Sequence, residues 1–407
     1  MASIGGLVLG AEPSSDGYPY KAGVACQLIK PLSIDLAFDV KGQDWQVRGK
    51  KNGRYLVASH PSEISFEEAK TQGVSALMEA LDLACIQQNE GNNLRHPSDN
   101  IIVLFVEDGC SILTVDYTFD LSIGVSFQVQ VTNSLGQVIP NEEPAPPKWH
   151  RSLRYYRLSQ IAADIYEAYR NLYLAFEALV ETIYPREKTE REGDWIRRCF
   201  TRMREEFNLA AFAPDKHSHP NEYLYGVLYE HTRCNLFHSR TTDAILPYYQ
   251  LDTQKIRVAY DTLLRLWRHI ASKILGTNNG GGVITFIGYR TQMDAVLSES
   301  PLLVSVSDDN SPPKESDTMV SHSGRPAVAL SSCRYAGEIT PGTVGAFFAE
   351  DNDPMKFPTI HRIGLVRDNG LYGIGFIEEG LRLDGVDSFR VRAYQRLIQG
   401  SQPRTIF

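Results

Sequence analysis

The sequence predicts a multidomain α+β protein, and three observations carry that expectation. Leu113, Val115, Tyr117, Phe119, Leu121, Ile123, Val125, Phe127, Val129 and Val131 alternate with mostly polar neighbours, the period of a strand with one buried face. From Ile161 onward the apolar period changes to that of a helix. Between the two lies the stretch Pro140-Asn-Glu-Glu-Pro-Ala-Pro-Pro147, polar and rich in proline, as a domain boundary requires. The expected layout is a β-rich N-terminal domain with one helix over residues 1–143, a helical bundle over 151–275, and a small β-rich C-terminal module over 283–407.

The composition bounds the alternatives. A chain of 407 residues with 43% hydrophobic and 22% charged residues is an ordinary globular protein, long enough for two to four domains and a sizeable core. Collagen, coiled coil and global disorder are excluded. No run of 18 apolar residues is present, so no spanning helix is expected. The N-terminal stretch MASIGGLVLG lacks a basic leader and does not read as a secretory signal. Six cysteines occur without a CxxC pair, and LDLACIQQ and IRRCFTRM set two of them in apolar surroundings. The expectation is reduced, buried thiols in a cytoplasmic protein rather than a disulfide frame or a zinc site. The formal net charge of −8 argues against nucleic acid at first sight, but residues 150–275 carry 19 basic against 16 acidic side chains. The middle is thus mildly basic and the flanks acidic.

Each element has its own warrant. Val24–Val40 and Arg54–Ser59 hold strand-like runs. Ser65-Phe-Glu-Glu68 is a capping box, with Ile64 placed as a hydrophobic staple, and it opens a helix to about Gln88. Ile101–Asp108 opens with six apolar residues and predicts a buried strand. In the middle, Ile161, Ile165, Ala168, Leu172, Phe176, Leu179 and Ile183 form one face of a long helix that Pro185 ends. A second helix over 194–207 presents Trp195, Cys199 and Met203, and a third runs from Asn221 toward His238. The fourth, about 252–275, carries Ile256, Tyr260, Leu263, Trp267, Ile270 and Ile274. Past the break Gly276–Gly282, strands are expected at Val283–Tyr289, Leu302–Ser307, Gly342–Glu350, Arg362–Arg367, Leu371–Glu378 and Phe389–Tyr394, with the polar stretch Asp308–Arg325 disordered or mobile.

One constellation carries chemistry. The third helix ends Arg233-Cys-Asn235-Leu-Phe-His238. Asn235 and His238 are three apart and share a face. Arg233 and His238 lie about 140° apart on an ideal helix and converge only if its last turn unwinds. A planar guanidinium fork suits phosphate oxygens, and an imidazole accepts a proton near neutral pH. Attack by RNA's own 2′-hydroxyl then needs neither metal nor cofactor. The plain alternative is that Arg233 and His238 are cations at a helix C-terminus. The same loose spacing recurs at Arg54-Tyr-Leu-Val-Ala-Ser-His60 inside a predicted strand. His217-Ser-His219 reads as a polar loop, Gly280–Gly282 as a linker, and Gly370–Gly375 as a turn in a β run.

With R-C-N-L-F-H on a late helix and RNLYLAFEALVETIYP on a long opening one, residues 151–275 resemble the HEPN superfamily. The resemblance implies a four- or five-helix HEPN-like bundle and, in many members, a metal-independent ribonuclease acting as a dimer. Carried onto this sequence, Arg233 and His238 match the catalytic pair, Asn235 assists, and Glu177 on the opening helix either orients Arg233 or is a solvated charge. Cys234 stands where the family usually has Asn, Asp or His, and Ser239 where related sequences often have Gly. The implied partners are an RNA substrate, a second copy and a possible regulatory protein, in the manner of bacterial defence or toxin effectors. The other reading is a non-catalytic scaffold of the same fold.

Overall fold

The computed structural model describes residues 1–10, 20–40, 44–95, 100–122, 131–132, 135, 137–139, 146–162, 164–214, 218–238, 244–245, 247, 253–277, 284–298, 302–322, 327–330, 333–340, 342–351, 359–368 and 370–398. In chain order these give strands β1 Ala2–Ile4, β2 Leu7–Gly10, β3 Ala22–Gln27, β4 Leu36–Val40, β5 Trp45–Gly49 and β6 Tyr55–His60, then helix α1 Phe66–Gln88. Strands β7 Ile101–Glu107, β8 Cys110–Ser122, β9 Val131–Thr132 and β10 Val138–Ile139 follow. The helices are α2 Arg151–Gln160, α3 Ile165–Ile183, α4 Glu192–Glu206, a 3-10 turn Leu209–Phe212, α5 Pro220–Tyr225, a π-helical segment Gly226–Cys234, α6 Asn235–Phe237, α7 Thr253–Leu275 and α8 Phe286–Ser298. The chain closes with β11 Leu303–Ser307, β12 Ala327–Ala329, β13 Arg334–Thr340, β14 Thr343–Asp351, β15 Ile360–Arg367, β16 Gly370–Leu383 and β17 Ser388–Ile398. The protein is therefore mixed α+β and largely β-rich. It divides into two compact units, one from Met1–Leu121 with Ile284–Leu397 and one built on Ser122–Val283.

The first unit corrects the expectation of separate β modules at 1–143 and 283–407. Its nine-stranded sheet runs β13-β14-β17-β8-β7-β3-β6-β5-β4, and its six-stranded sheet runs β12-β11-β15-β16-β1-β2. Both sheets mix strands from the two ends of the sequence. Ala2, Ser3 and Ile4 pair with Leu383, Arg382 and Leu381. Across β8 and β17, Arg392 grips Asp116 with both Nε and Nη2 at 2.6 Å, and Arg396 reaches Asp120 at 3.0 Å. The physical reason is that an alternating pattern states which face is buried but not which strand completes the edge.

The pattern of β8 is also more than one-sided. Ile112, Leu113, Thr114, Val115 and Asp116 are all buried. On one face, α1 packs against β3, β6 and β7 through Val24, Val103 and Phe105. On the other, the rings of Tyr117 and Phe119 occupy the space beside Gly375 and Gly373 of the six-stranded sheet, where a Cβ would collide. Beyond Ser122 the predicted alternation passes outside the described residues except for Val131. The capping box is formed as expected, with Ser65 Oγ accepting from Glu68 N at 3.3 Å. Gly73 lets α1 approach the sheet, because a Cβ there would lie 2.5 Å from Val24 Cγ2.

Two further expectations change here. Val283–Tyr289 does not form a strand. Its described part opens α8, where Thr285 Oγ1 accepts from Gly288 N at 3.0 Å and Tyr289, Met293 and Leu297 form the buried stripe. A short apolar run does not decide between the two periods. The polar stretch after β11 is ordered over residues 308–322, because it wraps a buried arginine. Arg362, 1% exposed, donates Nε and Nη2 to Ser311 O at 3.1 and 2.6 Å and Nη1 to Val320 O at 3.3 Å. Asp309 and Asp317 stand 3.7 Å from it. A charge removed from water must recruit such partners.

The second unit holds one core formed by α2, α3, α4, the π-helical segment and α7, including Phe176, Trp195, Phe200, Tyr260 and Trp267. The predicted first helix starts later than expected, at Ile165, and a separate helix that the sequence reading did not give, α2, precedes it. Asp164 caps α3, accepting from Glu167 N at 2.8 Å, and the preceding Ile161 ends α2 and lies 62% exposed instead of joining the stripe. Ile274, expected on the stripe of α7, is likewise exposed. The α2 and α7 helices run antiparallel. Ser159 Oγ meets Tyr260 Oη at 2.9 Å at one end, and Lys148 N donates to Leu275 O at 2.8 Å at the other.

Candidate functional site

The helix carrying the Arg/His motif leaves α geometry before the motif begins. Over Gly226–Cys234 it widens to a π-helix. Thr232 Oγ1 bonds Val227 O at 2.8 Å, and Tyr169 of α3 donates its hydroxyl to Leu228 O at 2.6 Å. Such π turns concentrate at functional sites, but this one stops at Cys234; Asn235–Phe237 is α-helical again, and His238 N donates to Cys234 O at 3.0 Å. His238 then leaves the helix with an extended backbone, φ −121° and ψ 101°. Arg233 Nη1 then lies 3.2 Å from His238 Nε2. The convergence that an ideal helix forbids is thus made by local unwinding.

Arginine only donates, so Nε2 is the acceptor and the ring carries its proton on Nδ1 in this arrangement. The imidazole is exposed, whereas the Arg233 side chain is only 12% exposed. The guanidinium lies against aromatic rings, 5.0 Å from Phe237, 5.5 Å from Tyr229 and 5.9 Å from Tyr173. Its Nε and the Tyr173 hydroxyl are buried without a hydrogen-bond partner among the described residues.

Glu177 is not the partner of Arg233. That place belongs to Glu192 at the first position of α4, whose Oε1 lies 2.6 Å from Arg233 Nη2. A carboxylate there also faces the positive end of a helix. Burial draws the Arg233 guanidinium down, yet Glu192 and the neighbouring phenols outweigh that and raise it. Glu177 lies in the same field. Burial first, then repulsion from Glu192, push its carboxyl above the usual range, with Arg233 opposing. Asn235 does not reach His238. Its Nδ2 donates to His231 O at 3.1 Å and its backbone carbonyl accepts from Ile245 N at 2.8 Å, so it ties the helix end to the following chain.

Two contributors escaped the sequence reading. Arg170 of α3 donates to Leu236 O at 3.0 Å and lies 5.7 Å from the Phe237 ring, which is thus flanked by two guanidinium groups. Glu192 is the other. A sequence signal existed for Arg170, the first residue of the run RNLYLAFEALVETIYP that bears the resemblance, but none singled out Glu192 among the acids of the REKTEREGD segment. Of the remaining candidates, Arg54 precedes β6 and His60 is buried at its end, so that second spacing match is sheet structure. His217, Ser239 and Gly280–Gly282 lie outside the described residues. Among the described residues no cluster of His, Cys, Asp or Glu could hold a metal ion, and no helix is long and apolar enough to cross a membrane. Cys26 and Cys199 are buried as expected, but Cys85 and Cys110 are exposed.

Compared with known proteins, the chain matches no family model, no curated protein and no solved structure.

Proposed function

We propose that the second unit is a metal-independent endoribonuclease of the HEPN type, and that Arg233 and His238 carry its chemistry. The observation that supports the reading is the 3.2 Å approach of Arg233 Nη1 to an exposed His238 Nε2. When a phosphodiester arrives, the guanidinium turns from the imidazole to a phosphate oxygen and frees the Nε2 lone pair. His238 takes the proton of the 2′-hydroxyl, and the 2′-oxygen attacks phosphorus. The bond to the 5′-oxygen breaks, and that oxygen takes up a proton. Arg233 offsets the charge that builds on the phosphoryl oxygens. The products carry 2′,3′-cyclic phosphate and 5′-hydroxyl ends, and DNA, which lacks the 2′-hydroxyl, is inert. A single Arg/His pair offers little grip, so the working form is a homodimer with the motif helices at the twofold axis. The biological setting of such an enzyme is a bacterial defence or toxin system in the cytoplasm.

A metal-free cleavage assay tests this. His238→Ala loses on the order of 10²–10⁴-fold in rate, and Arg233→Lys also fails because a point charge does not replace the fork. Cleavage that persists in His238→Ala, or that EDTA abolishes, refutes the proposal. The ion pair of Arg233 with Glu192 favours a second reading, a binding scaffold in which the guanidinium is structural. That reading is correct if the purified dimer binds RNA or a protein partner without cleaving RNA.

A further inference from the structure

The charge of the second unit is not spread evenly. Arg151, Arg154 and Arg157 repeat every third residue along α2, which contains no acid, and all three are exposed. Successive members are about 4.5 Å apart along the axis. The neighbouring α7 adds Lys255, Arg257, Arg265 and Arg268, with Asp261 as its only acid. Among the described residues, Arg151, Arg154, Arg157 and Arg265 have no carboxylate partner. Such a surface in a chain of net charge −8 is a marked local reversal.

Aromatic groups accompany the charge. Trp149, just before the cap of α2, is 74% exposed. Tyr156 stacks on Trp267 at 4.3 Å and lies under Arg268 at 5.8 Å, which locks α2 onto α7. A row of cations beside an exposed indole is the chemistry of single-stranded nucleic-acid binding, in which phosphates meet arginines and a base stacks on the ring. A solvated face alone explains the arginines but leaves the indole at the end of the row without a role.

We infer that the α2/α7 surface is a binding platform for single-stranded RNA, with Arg151, Arg154, Arg157 and Arg265 on the phosphates and Trp149 under a base. The inference rests on the ribonuclease reading only for the choice of RNA as ligand. It adds a holding surface on α2 and α7 to a site made by α3, α4 and the π-helical turn.

The test is binding of a fluorescent 20-nucleotide oligouridylate to the full chain carrying His238→Ala, so that cleavage does not enter. Neutralising four phosphates gives a slope of log K against log salt of about −2.8, or roughly 50-fold loss of affinity between 50 and 200 mM salt. Arg151→Gln/Arg154→Gln/Arg157→Gln lowers the slope by about 2, so that the same change of salt costs only about threefold. Trp149→Ala weakens binding roughly 5- to 100-fold and leaves the slope unchanged. The control Lys188→Gln/Arg202→Gln/Arg204→Gln removes equal charge elsewhere and keeps the slope. Absence of binding at 50 mM salt, equal slopes in both triple variants, or binding to phosphatidylserine vesicles but not to RNA overturns the inference. Binding on this surface by a chain that never cleaves RNA refutes the ribonuclease reading alone.

Discussion

Two carboxylates flank Arg233, and the structure assigns them opposite effects on stability. Glu192 pairs with the guanidinium at 2.6 Å, with side chains 12% and 26% exposed. An exposed pair contributes roughly 0–1 kcal/mol, and removing one partner of a fully buried pair costs roughly 3–5 kcal/mol. This half-buried pair falls between, so Glu192→Gln costs about 2 kcal/mol at pH 7. Glu177 behaves otherwise. Burial and the nearby Glu192 raise its carboxyl above the unfolded value. The folded state therefore holds its proton more tightly than the unfolded state, and ionisation costs stability as pH rises through the folded value. Glu177→Gln removes that cost. It stabilises the protein at pH 7, and the gain vanishes below the ordinary carboxylate range. Urea unfolding at pH 7 and pH 4, followed by the fluorescence of buried Trp195 and Trp267, separates the two effects. The midpoint of Glu192→Gln falls by about 1 M at a slope of about 2 kcal/mol/M, whereas that of Glu177→Gln rises. If Glu177→Gln destabilises at pH 7 as Glu192→Gln does, Glu177 is a partner of Arg233 after all and the assignment is refuted.

Other outcomes follow from single contacts. Tyr169→Phe removes the hydroxyl that donates to Leu228 O at 2.6 Å, which costs about 1–2 kcal/mol and increases amide exchange across the π-helical segment; unchanged exchange there contradicts the role given to Tyr169. Arg362→Ala strips residues 308–322 of their buried anchor. It costs on the order of 3–5 kcal/mol and opens that stretch to protease, so an equally resistant variant refutes the anchoring. Gly73→Ala places a Cβ 2.5 Å from Val24 Cγ2, and overpacking of this kind costs about 1–3 kcal/mol, read as a lowered thermal midpoint.

Much of this was legible in the residues. The capping box at Ser65 acts within four residues, so its geometry needs no tertiary help. The stripes on α3, α4 and α7 follow from the helical period, which any amphipathic helix must satisfy to bury one face. The Arg/His motif was visible as a spacing. Tertiary structure decided the rest. The pairing of β8 with β17 and of β1 with β16 joins strands that no local pattern connects, because hydrogen-bonding edges are alike in every strand. The order of residues 308–322 depends on Arg362, which lies far along the chain and looks like any strand arginine in sequence. At the site, helical spacing set Arg233 and His238 apart, and only the departure of the chain from the helix at His238, whose backbone is extended, accompanies their approach to 3.2 Å. Glu192 displaced Glu177 as the partner for the same reason: which of two acids meets a guanidinium depends on how α4 packs against its neighbours, and sequence order does not encode that distance.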